Sequence, residues 1–362
     1  MKSTIGTIVT LTLAGESHGS EIVAILDGLA PGIPVDEAFI ASQLALRRPQ
    51  GAGETARREE DAFRIVSGVL DGHTTGAPIA IVIPNSDVRS SDYAGFSGLA
   101  RPGHADYAVH ARCDGFEDLR GGGHFSGRLT AGIVAAGAIA LKALRAKGIR
   151  IGTHILSCAG VSDEPFAVDP SAQLDRLEGL RFPVLSDVQA QMEARILEAS
   201  RAGDSVGGVI QTAVTGLPAG VGEPWFASAD GLIANAILSI RGIKGIEFGS
   251  GFALAGMMGS EANDAWSLTP EGPRTVTNHS GGVNGGLTNG MPLVFNAAVK
   301  PTPSISIPQR TVSLDGAREE QIEIGGRHDP AIVRRVCVVA TSMTALAVCD
   351  LLALRFGTDY LR

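Results

Sequence analysis

Histidines and arginines lie in several loops flanked by glycine or proline, and these residue types bind anions and move protons. Guanidinium groups pair bidentately with phosphate and carboxylate groups, and imidazole exchanges protons near neutral pH. Alone, each loop is equally consistent with an ordinary turn or a surface ion pair. Together, in an acidic chain, they predict a site for a ligand that carries phosphate or several carboxylates. The loops are Gly15–Gly19, Arg47-Arg48-Pro49, Arg101–Tyr107, Arg120–Arg128 and Arg327–Pro330.

The loop Arg120–Arg128 leads into the most clearly predicted helix of the chain. Three glycines let the backbone approach a ligand closely, and Ser126 is a candidate N-cap at a helix start, where free N–H groups attract anions. The segment Ala131–Lys147 is rich in alanine and is followed by Gly148, a typical C-terminal cap. Because this helix is apolar on almost every face, we expect it to be buried with other layers on both sides.

A second glycine-rich loop, Asn278–Gly286, precedes one predicted strand and then the segment Lys300–Ile305. Backbone N–H groups, hydroxyls and an ammonium group there suit a second phosphate-bearing ligand, such as a cofactor. The competing interpretation is an ordinary turn.

Composition narrows the class of protein. The 362 residues are 44% hydrophobic and carry a formal net charge of −8, which predicts a packed core and argues against nonspecific binding of nucleic acid or anionic membranes. Four scattered cysteines predict buried thiols in a reducing compartment and no zinc site. The N-terminus lacks the apolar core of a signal peptide, and Lys142 interrupts the longest apolar run, so we expect a cytoplasmic protein with no membrane span.

The pattern of elements predicts an α/β protein. Gly15–Gly19 is expected to connect two strands, and Asp36 to begin a helix that carries Arg47 and Arg48 at its C-terminal end. A strand, a Pro-Gly turn and a helix recur in the second half, near residues 211–240. These features suggest two related halves within one domain spanning residues 1–362, and the competing interpretation of so short a match is common turn chemistry.

The chain resembles chorismate synthases in order from Ile5 to about Ala353. Taken together, these motifs are typical of that family and of no other known to us. They are Gly-Glu-Ser-His-Gly at Gly15, Arg-Pro-Gly-His-Ala-Asp-Tyr at Arg101, Arg-Gly-Gly-Gly at Arg120, Gly-Asp-Ser-Val-Gly at Gly203, Gly-Glu-Pro at Gly222, the Asn278 loop, Lys-Pro-Thr-Pro-Ser-Ile at Lys300 and Gly-Arg-His-Asp-Pro at Gly326.

The resemblance implies a reaction and a fold. The family converts 5-enolpyruvylshikimate 3-phosphate into chorismate, in the shikimate pathway to the aromatic amino acids, by 1,4-anti elimination of phosphate. It requires reduced FMN without net redox change. Its fold is a helical layer between antiparallel β-sheets, and its assembly is a homotetramer. Since the chain has no separate dinucleotide fingerprint, we expect NADPH to reduce the flavin through an external reductase.

The resemblance also assigns site residues. His18 is expected to protonate or hydrogen-bond the departing phosphate, His104 to lie at the pyrimidine edge of the flavin, and Asp329 to help relay the proton that leaves substrate C6. The residues expected around the substrate anions are Arg47, Arg48, Arg128 and Arg327. The residues expected to contact the flavin are Ser126, Gly285, Lys300, Thr302, Ser304 and Arg327.

Three departures from the common family pattern mark this chain. His124-Phe125 replaces an Arg-Ser pair and indicates a subgroup, Arg241-Gly242 replaces a small uncharged pair near the flavin, and the loop Gln50–Thr55 is short and acidic. The sequence assigns His124 no role. Two other functions stay open: a flavin-dependent oxidoreductase with net electron transfer, and a non-catalytic homologue that binds a phosphorylated metabolite.

Overall fold

The computed structural model describes residues 1–49, 60–86, 98–118, 120–270, 272–325 and 329–362. The described α-helices are α1 (Glu37–Arg47), α2 (Asp106–Cys113), α3 (Thr130–Ala146), α4 (Ser171–Leu177), α5 (Gln189–Arg201), α6 (Ala229–Leu238), α7 (Gly259–Ala262) and α8 (Val333–Phe356). The described strands are β1 (Thr4–Ile5), β2 (Thr10–Ala14), β3 (Glu21–Asp27), β4 (Arg64–Ser67), β5 (Val69–Leu70), β6 (His73–Thr74), β7 (Ile79–Pro84), β8 (Arg150–Cys158), β9 (Val161–Ser162), β10 (Gly208–Thr215), β11 (Ile243–Phe248), β12 (Trp266–Thr269), β13 (Gly272–Thr275), β14 (Val283–Asn284), β15 (Leu287–Thr288), β16 (Leu293–Val299), β17 (Gln309–Val312) and β18 (Glu319–Ile322).

Two five-stranded sheets dominate the described chain. The first has the order β1-β2-β3-β7-β4 and the second the order β11-β16-β10-β8-β9. Every strand pair in both sheets is antiparallel. The α/β prediction is therefore confirmed in its coarser form, as a mixture of helices and antiparallel sheets.

Helices α3 and α8 lie in the core. Helix α3 contacts β2, β3 and β7 of the first sheet and β8 of the second, while α8 contacts β8 and β10. Gly137 of α3 makes the helices' close approach possible, since a Cβ there would lie 2.4 Å from Cβ of Ser342. The burial of α3 on nearly all faces matches the prediction from its sequence. The sequence analysis did not predict α8.

Helix ends follow the predicted capping chemistry. Asp36 caps α1 by accepting a hydrogen bond from the Phe39 N–H at 2.9 Å. Ser126 accepts one from the Arg128 N–H at 3.2 Å, but it caps a 3₁₀ turn, Gly127–Leu129, that leads into α3. Gly15–Gly19 connects β2 to β3, as expected.

Two expectations need correction. Cys158, Cys337 and Cys349 are buried, but Cys113 is partly exposed, because the amphipathic helix α2 that carries it buries no residue. The expectation that no apolar run is long enough to cross a bilayer is wrong, because the helical segments Gly127–Ala146 and Val333–Phe356 have the length and hydropathy of a span. This is weak evidence for a span, because most of each segment is buried inside the fold, as in the core helix of a soluble protein.

Candidate active site

A cavity of about 250 Å³ gathers basic residues from distant parts of the chain. Five arginines and two aspartates line it, which leaves three net positive charges among these side chains. The cavity is therefore a local concentration of positive charge in a protein of net charge −8. The lining includes Arg47, Arg48, Asp61, Ser126, Arg128, Arg241, Thr302, Asp329 and Arg335.

Asp61 joins the two most buried arginines of the cavity. The carboxylate accepts hydrogen bonds from Nη2 of Arg47 at 2.8 and 3.0 Å and from Nη1 of Arg128. All three residues are at most 5% exposed. Burial alone would raise the pKa of Asp61, but the two guanidinium groups lower it below its ordinary value. Burial lowers the pKa of Arg47 to about 10, against the opposing effect of Asp61.

Asn85 connects this network to the loop that carries His18. Its side-chain oxygen accepts a hydrogen bond from Nε of Arg128 at 2.9 Å. Its amide nitrogen donates to the carbonyl oxygens of Glu16 at 3.0 Å and Gly19 at 2.8 Å. The His18 loop is thus tied to an arginine of the cavity by a single side chain.

The imidazole of His18 is buried against the loop Arg120–Gly123. Its Nδ1 lies 3.2 Å from Oγ of Ser17, and the Gly122 N–H donates to the same oxygen at 3.3 Å. Gly121 has φ +66°, and a Cβ at this position would lie 2.4 Å from the imidazole ring. The glycines predicted for close approach to a ligand therefore also make room for His18.

His104 contacts the segment that follows β16. Its Nε2 lies 2.9 Å from Oγ of Ser304, and Lys300 donates from Nζ to the carbonyl oxygen of Gly103 at 2.7 Å. Burial, together with nearby Lys244, lowers the pKa of Lys300. The same segment is also held by Ser205, whose Oγ donates to the carbonyl oxygen of Thr302 at 2.6 Å.

Asp329 lines the cavity in an ion pair with Arg335, a residue that the sequence analysis missed. Arg335 also donates from Nε to the carbonyl oxygen of Arg47 at 2.9 Å. Its neighbour Arg334 donates to the carbonyl oxygens of Leu46, Arg48 and Arg181. Both arginines therefore fix the C-terminal end of α1. The only sequence signal for them is an arginine pair just before a long apolar run.

Asp61 and Asn85 were also missed. Asp61 ends the charged run Arg57–Asp61, a pattern that is typical of a solvated surface, and Asn85 follows a strand without any motif of its own. Their roles depend on contacts between residues far apart in the chain, which spacing does not reveal.

Three polar atoms at the cavity are buried and have no hydrogen-bond partner among the described residues. They are Nε of Arg47, Nε of Arg48 and Oγ1 of Thr302. A buried polar atom without a partner is costly, and a bound ligand is one of the usual ways to satisfy it. These two donors and one hydroxyl suit an anionic ligand.

Gly285 lies apart from the other predicted flavin residues. It is in the turn between β14 and β15, next to the start of β16, whereas Lys300 follows the end of that strand. Seven strand residues separate these ends, a span of roughly 20 Å. Arg327 and the loop Gln50–Thr55 lie outside the described residues.

His124 does not line the cationic cavity. Its Nδ1 donates to the carbonyl oxygen of Gly15 at 2.8 Å, and its Nε2 lies 2.9 Å from Oγ of Ser3. The guanidinium of Arg241 stacks 5.2 Å from the ring centre of Phe125. His124 and Phe125 line a second, larger cavity of about 680 Å³. Ser126 and Arg241 line both this larger cavity and the cationic one.

Comparison with known proteins decides the family. The family model described as "Chorismate synthase" matches residues 9–353. The chain belongs to the chorismate synthase family. It is accordingly an enzyme of that family, a lyase of the shikimate pathway, as the motifs predicted.

Individual members of the chorismate synthase family match over almost their full lengths. The chorismate synthase of Aeropyrum pernix is 44% identical over 358 residues, which cover 98% of this chain and 93% of that protein. That of Methanocella arvoryzae is 43% identical over 349 residues, covering 96% and 93%. A solved structure titled "Crystal Structure of Chorismate Synthase" is 29% identical, with a TM-score of 0.76 and coverage of 97% of this chain and 94% of that chain.

Proposed function

We propose that this chorismate synthase family member eliminates phosphate from 5-enolpyruvylshikimate 3-phosphate and releases chorismate, with reduced FMN as its cofactor. The observation that carries the proposal is the cationic cavity, where Nε of Arg47 and Nε of Arg48 are buried without a partner among the described residues. The substrate carries one phosphate and two carboxylates, which match arginine-rich surroundings in charge and in bidentate geometry.

Arg47, Arg48 and Arg128 bind the substrate anions in this proposal. Arg47 and Arg128 are held rigidly by buried partners, so they lose little conformational freedom when the ligand arrives. Arg335 and Arg241 line the same cavity and add to its positive charge. Arg327, which lies outside the described residues, is proposed as a further anion ligand on the family motif alone.

His18 supplies or shares the proton that the leaving phosphate needs. Its position is supported by its packing on Gly121 and by the link from its loop through Asn85 to Arg128, the proposed anion ligand. A proton donor and an anion ligand in one connected unit suit the departure of a phosphate group.

The residues proposed to hold reduced FMN are Ser126, Lys300, Thr302, Ser304 and His104, with Gly285 and Arg327 assigned from the family motifs. Their donors fit a flavin. Thr302 offers a buried hydroxyl that has no partner in the part of the chain that the structure describes, and Lys300 offers an ammonium group two residues earlier in the sequence. When bound, reduced FMN would supply the electron density that helps to expel phosphate. His104 and Ser304, which lie within hydrogen-bond distance of each other, would hold the cofactor, and Asp329, paired with Arg335, would accept or relay the proton that leaves substrate C6.

Anaerobic assay with chemically reduced FMN and the phosphorylated enolpyruvyl substrate tests this function. We expect chorismate and phosphate in equal amounts with no net oxidation of the flavin. Absence of chorismate would refute the proposal, and NADPH consumption in step with product would indicate an oxidoreductase instead. Aerobic assay of the pure protein with NADPH and oxidised FMN should give no chorismate, because we propose that a separate reductase supplies the reduced flavin.

Several finer features are proposed with the function. We infer a subgroup marked by His124-Phe125, a homotetramer, and action in the cytoplasm. One domain over residues 1–362, with α3 and α8 between the two sheets, is supported by their contacts with both sheets and by one extensive core cluster.

An internal repeat is supported by matching topology. The order β2, β3, α1, β4, β7, α3 in the first half corresponds to β8, β10, α6, β11, β16, α8 in the second. The sheet order β2-β3-β7-β4 likewise corresponds to β8-β10-β16-β11.

A further inference from the structure

We propose that Asp61 is a positioning residue that holds the guanidinium groups of Arg47 and Arg128 in the arrangement that binds the substrate anions. The identity of those anions rests on the proposed function. The role of the carboxylate rests on the geometry of the cavity.

Asp61 brings together side chains from three separate elements. Arg47 ends α1, Arg128 lies in the turn before α3, and Asp61 precedes β4. The carboxylate takes two hydrogen bonds from one nitrogen of Arg47 and another from Arg128, and its side chain is fully buried. Packing of α1 on α3 brings the two arginines near each other, and the shared carboxylate joins their guanidinium groups directly.

The pair of arginines needs such a partner. Two buried guanidinium groups repel each other, and a buried charge without a counter-charge is strongly destabilising. Asp61 has φ +50°, a conformation that non-glycine residues adopt rarely and that is often found at functional sites.

The remaining nitrogens of Arg128 are fixed as well. Nε donates to Asn85, and Nη2 donates to the carbonyl oxygen of Pro84 at 3.1 Å. Asp61 therefore completes a set of partners that fixes the plane of this guanidinium, whereas Nε of Arg47 has no partner among the described residues. Donors that are fixed before the ligand binds cost no ordering at that moment, which favours tight and specific binding.

The first test compares Asp61→Asn and Asp61→Glu with the wild type in the anaerobic assay. Asn keeps the shape but loses the charge, and Glu keeps the charge but moves it by one methylene. We expect both variants to lower kcat/KM by about tenfold to a hundredfold, since charge-assisted hydrogen bonds to two arginines are lost or displaced. Full activity of either variant would overturn the proposal. If Asp61→Asn fails to fold, Asp61→Glu alone decides the test.

Asp163→Asn is the matched control. Asp163 is also a buried carboxylate, but it accepts hydrogen bonds from Ser186 and from the Leu185 N–H, outside the cavity. We expect this control to lose stability and to keep kcat/KM within about threefold. An equal loss of kcat/KM in both variants would mean that Asp61 acts only through general stability, and would overturn the proposal.

A double-mutant cycle separates positioning from structure. Asp61→Asn should lower kcat/KM much less in an Arg128→Ala background than in the wild type, because one of the two groups that Asp61 orients is already gone. Additive losses would refute the positioning role.

Calorimetric titration with inorganic phosphate is independent of turnover. Wild-type protein should bind phosphate about tenfold more tightly than Asp61→Glu, and equal affinities would count against the proposal. If the wild type binds phosphate but forms no chorismate, the proposed function is refuted. The phosphate affinities of the wild type and Asp61→Glu then still decide whether Asp61 positions the arginines.

Discussion

Nε2 of His104 lies 2.9 Å from Oγ of Ser304, in the segment proposed to bind the flavin. We predict that His104→Ala lowers kcat about a hundredfold, as removal of a proton-transfer or hydrogen-bonding group typically does. Anaerobic turnover measures this, with the melting temperature recorded in parallel. His110→Ala is the control, because His110 belongs to the adjacent helix α2 and pairs with Glu117. Equal losses in both variants would argue against a catalytic role for His104.

Gly121 controls the position of His18. We predict that Gly121→Ala lowers turnover by at least about tenfold, because the new methyl group would overlap the imidazole and displace it. Gly148→Ala is the control: Gly148 has a similar positive φ, but no atom lies within 4 Å of its missing Cβ. The control should show the cost of backbone strain in its unfolding free energy and keep full turnover. Normal activity in Gly121→Ala would mean that His18 can move without consequence.

Six of the site residues predicted from the sequence line the cavity: Arg47, Arg48, Ser126, Arg128, Thr302 and Asp329. Asp61, Asn85 and Arg335 were not predicted, because their contacts with Arg47 and Arg128 join residues far apart in the chain. The structure also gives His124 a definite place, between the N-terminal segment and the carbonyl oxygen of Gly15. Gly15 is the first residue of the loop that carries His18, so His124 fixes the start of that loop.

Among the elements, loops and capped helices were predictable and distances between them were not. Asp36 and Ser126 mark helix starts through local hydrogen bonds, which spacing in the sequence is enough to suggest. The separation of Gly285 from Lys300 depends on the length and direction of β16. Both are known only when the pairing of β16 with its neighbouring strand is known. Helix α8 was missed because it is apolar on most faces and lacks a regular period.

The crossing of α3 and α8 gives a test of packing. A Cβ on Gly137 would lie within 2.4–2.8 Å of side-chain and backbone atoms of Ser342. Alanine raises helix propensity by about 1 kcal/mol over glycine, yet we predict that Gly137→Ala destabilises the protein by about 1–3 kcal/mol through overpacking. Chemical denaturation measures the sign of the change. Stabilisation would show that the two helices can separate at little cost.

At the scale of the whole molecule, charge is distributed unevenly. The chain carries a net charge of −8, yet its candidate active site is positive because five arginines face one cavity. Composition therefore excluded nonspecific binding of polyanions without excluding a specific anionic ligand. The segments Gly127–Ala146 and Val333–Phe356 have the length and hydropathy of a membrane span, yet most of each segment is buried inside the fold.

The stability of the whole fold should depend on pH through His154, which is fully buried on β8. Its Nδ1 lies 3.2 Å from the carboxylate of Asp163, and its Nε2 lies 3.2 Å from the side-chain oxygen of Gln211. Burial lowers the pKa of His154 below its ordinary value of 6.5, although both partners oppose this effect. The unfolded chain therefore binds a proton at a higher pH than the folded protein does.

As a result, the contribution of His154 to stability is fully present above pH 6.5 and is lost as the pH falls towards the lower pKa of the folded state. We predict that the unfolding free energy decreases between pH 7.5 and pH 5.5 by up to about 1.4 kcal/mol per pH unit from this group. His154→Gln should be less stable at pH 7.5 and should show a shallower slope. Denaturant unfolding at fixed protein concentration measures both slopes, and exposed groups contribute equally to the two proteins. Identical slopes would mean that His154 binds protons equally in the folded and unfolded states. The acid sensitivity of the fold would then arise from other groups.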